Sequence, residues 1–302
     1  MSGARSASGR RTAEVLLFAA TLVWGSSFIV MKGGALAIPP AGFVFYRFLL
    51  AAVLCAAIFA RRLPRIRPST LWKGAALGVL LLFGILFQVW GLRTTSASNS
   101  AFLTGLAVIA VPILEAFLRR RRPSAGPLAG AVLALAGIAL LSGMLSGPTA
   151  LVVGDGLTLL GTVAWTLQIA ALDRFVEGED AYALTFLQFA VVAVLSGAWH
   201  FATGGATLPL SAIPVLPIVY TGIVGTVVAF TVQTAFQYRT TPTRAVLIYS
   251  FEPVFALMFA LVIPGPDGAT ESLTLVRAAG CLLVFIGILA SEFLPFRMKR
   301  DA

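Results

Sequence analysis

"LIYSFEPVFALMFAL", residues 247–261, is a nearly continuous apolar run with Glu252 and Pro253 side by side near its middle. A run of this kind suits lipid. A carboxylate at the bilayer centre nevertheless costs about 2.5–3.5 kcal/mol even on lenient insertion scales. Proline removes an amide donor and frees a carbonyl one turn earlier. Both are tolerated where neighbouring groups or a cavity satisfy the freed polar atoms. The stretch therefore reads as a transmembrane helix broken next to a polar interior.

The rest of the chain agrees. Of its 302 residues 59% are hydrophobic and 11% charged, against about 25% charged in a soluble domain. Lipid must be the solvent for most of its length. A bilayer core about 30 Å thick needs about 20 apolar residues per helix. Ten stretches qualify: 13–31, 42–60, 73–91, 97–118, 127–145, 151–172, 181–202, 213–236, 243–263 and 273–295. A barrel would alternate polar and apolar residues over about 10 positions, which these do not. Residues 1–12 read as a disordered basic tail, and the first span lacks the small-residue cleavage site of a signal peptide.

The net charge of +10 follows the positive-inside rule and does not call for nucleic acid. Arg5, Arg10 and Arg11 precede the first span. Arg61, Arg62, Arg65, Arg67 and Lys73 follow the second, and "RRRR" (119–122) follows the fourth. Arg174, Arg239, Arg244, Arg297, Lys299 and Arg300 complete the set. With ten spans all these positions share one side, so both termini are expected in the cytoplasm. The other side keeps Lys32, Arg93 and the edge residues Arg47 and Arg277. Cys55 and Cys281 lie within spans and read as small buried apolar residues. His200, at the end of the seventh span, reads as an interface residue.

The chain repeats itself. "ATLVWGSSF" (20–28) and "GTVAWTLQI" (161–169) share Thr-x-x-Trp, at Thr21/Trp24 and Thr162/Trp165. "LAGAVLALAGIALL" (128–141) and "AAGCLLVFIGILA" (278–290) share glycines seven apart, Gly130/Gly137 and Gly280/Gly287. "RTTS" (93–96) matches "RTTP" (239–242), and "VPILEAF" (111–117) aligns with "EPVFALM" (252–258) on Pro112 and Pro253. The two units, 13–145 and 150–296, hold five spans each. An odd number forces the second to insert upside down, an inverted-topology repeat of the kind secondary transporters use. The fold class expected is an all-α membrane protein of ten transmembrane helices.

Two five-span halves, "EPVFA" in the second and "SASNSAFLTGL" (96–106) opening the fourth span together resemble the ten-helix EamA-type transporters of the drug/metabolite transporter superfamily. The resemblance covers nearly the whole chain. It implies a central cavity ringed by spans 1, 3, 4, 6, 8 and 9, with 5 and 10 at the periphery. It also implies alternating access and export of amino acids or related metabolites, the aromatic amino-acid exporters being one candidate branch.

Polar residues at helical spacing mark where such a cavity would lie. The stripes are Asp155, Thr158, Thr162 and Trp165 with Gln168; Thr226, Phe230, Gln233 and Gln237; Ser96, Ser100 and Thr104 with Asn99; Gly84, Gln88 and Gly91 with Trp90; and Tyr249 with Glu252. The candidate substrate-binding residues are Trp24, Gln88, Trp90, Asn99, Ser100, Thr104, Trp165, Gln168, Gln233 and Tyr249. Pro112 and Pro253 are candidate hinges. Each Ser, Thr or Gln could equally bind a neighbouring helix, worth about 0.6 kcal/mol. Glu252 is either a coupling residue or a structural one that holds Tyr249, a glutamine or a freed amide, and the structural role is favoured. Glu115 is expected to pair with the basic loop that follows it. No phosphate-binding loop occurs, and His200 has no nucleophile partner in the membrane, so neither an ATP-driven pump nor an enzyme is indicated. No cofactor or metal is called for.

The expectation is a monomeric, multi-pass secondary transporter of a bacterial cytoplasmic (inner) membrane. The sequence places no Arg or Lys at mid-depth, which suits a small neutral or zwitterionic, partly apolar solute. Amino acids fit best, and a broad exporter of hydrophobic drugs is the alternative.

Overall fold

The structure, a computed structural model, describes residues 7–63, 66–95, 97–120, 125–142, 152–209, 211–264, 268, 270 and 272–293. Among them there are helices and connections, and no strand. In chain order the helices are α1 (Ala7–Ala37), α2 (Pro40–Ile58), α3 (Pro68–Gly91), α4 (Ala97–Gly105), α5 (Ala107–Leu118), α6 (Ala125–Ser142), α7 (Val153–Phe175) and α8 (Ala181–Ala202). There follow α9 (Ala212–Tyr220), a π-helical stretch (Thr221–Val228), α10 (Ala229–Phe236), α11 (Pro242–Tyr249), α12 (Glu252–Ala260) and α13 (Leu275–Phe293). Eight continuous stretches are long and apolar enough to cross a membrane, and two shorter apolar helices, Ala125–Leu141 and Leu275–Ser291, complete the ten spans. Large apolar side chains such as Phe117, Val153, Ile213 and Leu275 are more than 70% exposed on the outside of the bundle.

The helix ends follow local chemistry. Prolines occupy the first turn of α2, α3, α11 and α12, where the missing amide costs nothing because no partner exists there anyway. Asp180 caps α8 by accepting from the amides of Tyr182 (2.9 Å) and Ala183 (3.2 Å). Residues 7–12, expected to be disordered, are instead the first turns of α1, with Arg10 and Glu14 paired at i,i+4.

The two halves pack as mirror-ordered copies. α6 lies against α13, and four glycines set that contact. A Cβ on Gly130 would sit 2.5 Å from the carbonyl of Gly287, and one on Gly137 would sit 2.6 Å from that of Gly280. The reverse pairs, Gly287 on Gly130 and Gly280 on Gly137, are equally close. Residue number rises along one helix as it falls along the other, so these equivalent helices run antiparallel. Exchanging the halves also exchanges the remaining pairs: α3 lies along α7 as α1 lies along α9 and α10, and α2 packs on α8. That is the inverted repeat.

Charge is polarised along the bundle. All seven ion pairs among the described residues lie at the end that carries the start of α1, α3 and α8. Glu115 takes Arg119 (2.7 Å) and Arg174 (3.5 Å), and Glu14 takes Arg244 (3.4 Å). At the opposite end Lys32, among the described residues, donates to the Thr95 carbonyl at 3.4 Å and to no carboxylate. His200 is not the interface residue expected there. It is 2% exposed and folded beneath the next turn of chain, with Nε2 3.0 Å from the Ala206 carbonyl oxygen.

Candidate functional site

α1, α2, α3, α4, α5, α7, α10, α11 and α12 converge on a cavity. Four aromatic rings form its apolar wall. Trp165 stacks on Phe230, centroids 5.8 Å apart and planes within 9°. It reaches in because Gly84 of α3 leaves it room: a Cβ there would lie 2.9 Å from the indole. Trp24 meets Tyr249 edge-on at 5.3 Å and donates from Nε1 to the Gly225 carbonyl at 3.1 Å.

Hydrogen-bonding groups fill the gaps between the rings. Gln88 donates to Thr104 at 3.1 Å, joining α3 to α4 across the wall. Towards the ion-paired end a ladder of amides closes the space. Tyr249 donates to Gln237 (3.1 Å), and Gln233 donates to both Gln237 (3.1 Å) and Gln168 (3.4 Å). Gln168 continues the ladder to Gln188 at 3.3 Å, and Gln237 donates to the Ile169 carbonyl at 2.8 Å. Two buried wall atoms, Trp165 Nε1 and Gln233 Oε1, have no hydrogen-bond partner among the described residues. Buried polar groups are usually satisfied, so the cavity has hydrogen-bonding capacity to offer.

Arg47 overturns the expectation of a cavity without a mid-depth cation. It is 1% exposed and lines the cavity from α2, a helix that the resemblance did not place around it. Nε donates to Thr226 Oγ1 at 2.7 Å, and Nη1 lies 3.1 Å from Met31 Sδ. The sequence reading put Arg47 at the membrane edge. Because α2 starts at Pro40, Arg47 is in fact two turns inside it, about 10 Å from its start.

Of the ten expected binding residues, Trp24, Gln88, Thr104, Trp165, Gln233 and Tyr249 line the cavity, as do Glu252 and Pro253. Gln168 is fully buried behind Gln233 and supports it. Ser100 is buried outside the lining, Asn99 is half-buried outside it, and Ser96 falls outside the described residues. Trp90 is a correction. It is two residues beyond Gln88, about 200° round the helix, and it is 38% exposed, edge-on to Trp199 at 5.9 Å. At Pro112, the other candidate hinge, the chain stays helical. α5 runs through it, and the break in that span lies six residues earlier, at Leu106 between α4 and α5. In the ninth span the break is at Ser250 and Phe251, directly before Glu252 and Pro253.

The favoured structural role of Glu252 is not what the structure records. Tyr249 donates to Gln237 instead. Among the described residues no hydrogen bond or ion pair is made by the Glu252 carboxylate, which is half-buried on the cavity wall. Gln188 was missed by the sequence reading, although Thr185 lies one turn before it on the same buried face of α8.

Against known proteins, the model of the EamA-like transporter family matches residues 11–143 and again 152–292. A probable amino-acid metabolite efflux pump of Salmonella typhimurium is 28% identical, over 93% of this chain and 94% of that protein. An uncharacterized inner membrane transporter of Escherichia coli, YedA, is also 28% identical, covering 91% and 89%. An uncharacterized transporter of Archaeoglobus fulgidus is 27% identical, covering 93% and 85%. A solved structure titled "Crystal structure of protein" superposes with TM-score 0.77 over 96% of this chain and 99% of that one, at 21% identity, which speaks to the fold.

Proposed function

Since the chain belongs to the EamA-like transporter family, we propose that it carries small zwitterionic or neutral, partly apolar metabolites, amino acids foremost, out through the central cavity by alternating access. The observation that carries this reading is the cavity itself. It lies between the two halves, where inverted-repeat transporters keep their sites, and aromatic rings, amides and hydroxyls line it. One arginine and one carboxylate, Arg47 and Glu252, are among the residues that line it. That balance suits a zwitterion better than a phosphorylated solute, which would need a surplus of cations. The efflux pump of Salmonella typhimurium supports both the solute class and the direction. Family and relatives are transporters, not enzymes.

The ion-paired end is assigned to the cytoplasm, with both termini there, because basic loops stay inside. The Escherichia coli relative supports an inner membrane, and the protein works as a monomer. The test is exchange of labelled L-amino acids across liposomes that contain the purified protein. Saturable exchange of one or more apolar or aromatic amino acids is expected. No exchange of any of them, with transport of apolar drugs instead, would overturn the reading. Reporters fused after residues 178 and 205 should read inside and outside respectively, and the same side for both would overturn the orientation.

A further inference from the structure

The cavity holds two opposite charges that do not pair with each other. None of the ion pairs among the described residues involves Arg47 or Glu252. Arg47 is 1% exposed, and its bonded neighbours are one hydroxyl and one thioether. A thioether is a weak acceptor, and a guanidinium has five N–H groups to satisfy. A cation at this depth is costly unless an anion meets it. Glu252, on the lining of the same cavity, has no donor among the described residues, and the break at Ser250 and Phe251 places it at the first turn of α12.

We propose, resting on the transport reading above, that Arg47 takes the carboxylate of the solute and Glu252 its ammonium. Thr226, whose own hydroxyl donates to the Thr221 carbonyl at 2.8 Å, holds the guanidinium in place through Nε, and the solute takes the Nη edge, where Nη1 gives up the weak thioether acceptor of Met31. The guanidinium fork matches a carboxylate in two parallel hydrogen bonds. The solute's side chain then lies on the Trp165 and Phe230 faces, so the site takes amino acids with apolar or aromatic side chains. It discriminates against the amine and the acid that each lack one charge.

The test is calorimetric titration of the purified full-length protein with two sets of probes. One set is L-phenylalanine, phenethylamine and 3-phenylpropionate. The other is L-leucine, isoamylamine and 4-methylpentanoate. Wild type should bind at least one of the two amino acids about tenfold or more tighter than both of its analogues. Arg47→Gln should weaken that amino acid by about tenfold to a hundredfold and leave the amine unchanged. Glu252→Gln should weaken the amino acid and leave the acid unchanged. Arg47→Lys, which keeps the charge and loses the fork, should fall between wild type and Gln. Equal binding of all three probes by wild type overturns the assignment without recourse to any variant, so a misfolded Arg47→Gln does not shelter it. Arg47→Gln or Arg47→Lys that keeps the full preference for the amino acid overturns it too, while leaving the transport reading intact. Failure of wild type to bind either amino acid sinks the assignment, whereas failure of the whole transport panel sinks the functional reading beneath it.

Discussion

Glu179, in the turn between α7 and α8, is a charged residue whose partners are all visible. Lys73 Nζ lies 2.8 Å away and Thr70 donates to the other oxygen. The bond from Lys73, then that from Thr70, holds its carboxyl at about 2, below the ordinary 4.5. A depressed carboxylate contributes stability that is complete above its unfolded-state value and is lost as pH falls through the folded one. Glu179→Gln should therefore melt several degrees below wild type at pH 7. That gap should shrink as pH falls from about 5 towards 3, since protonation removes the same pair from wild type. A gap that does not change with pH, in detergent melting curves, would contradict this. At this scale the sequence was informative where polar residues recurred with helical period. Gln88, Thr104, Trp165, Gln233 and Tyr249 came from such stripes and Trp24 from the Thr-x-x-Trp repeat, and all line one cavity. Arg47 has no polar neighbour on its helix to form a stripe with, and a two-residue error in where α2 begins moved it to the membrane edge.

Where elements meet, the glycines set the distances. The reciprocal approach of Gly130 to Gly287 and of Gly137 to Gly280 puts backbone against backbone between α6 and α13. Backbone cannot swing aside as a flexible side chain can. Gly137→Ala, whose Cβ would meet the Gly280 carbonyl at 2.6 Å, should destabilise the protein by about 1–3 kcal/mol while leaving the cavity untouched. Gly156→Ala in α7, with nothing within 4 Å, should be neutral or slightly stabilising because alanine is the better helix former. Equal melting temperatures for the two variants would contradict the account of the α6–α13 contact. The sequence pattern marked these glycines as equivalent positions of a repeat by their seven-residue spacing, without showing that the two helices meet. It misplaced the break in the fourth span, because proline marks the carbonyl it frees one turn back and not where the helix actually yields. Leu106 follows Gly105, a poor helix former, and the chain yields there. The π-helical stretch Thr221–Val228 left no mark in composition, and it adds a residue to the turn that presents Thr226 to Arg47.

Across the whole molecule, two copies of one five-helix unit face each other in opposite senses, and the space between them is the proposed site. This much was legible: an odd number of spans per repeat dictates inversion, and the equivalent tryptophans, Trp24 and Trp165, both reach the cavity. What one sequence could not give is the floor of that space, the ladder from Tyr249 through Gln237, Gln233 and Gln168 to Gln188, because it joins four helices far apart in the chain. The central claim is that solute passes through this cavity. The most direct measurement is amino-acid exchange by liposomes that contain Thr104→Trp, which fills the space between Gln88 and Trp165, compared with wild type at equal protein content and equal melting temperature. The account predicts that exchange falls to the level of empty liposomes. Exchange by the folded variant at the wild-type rate would contradict it.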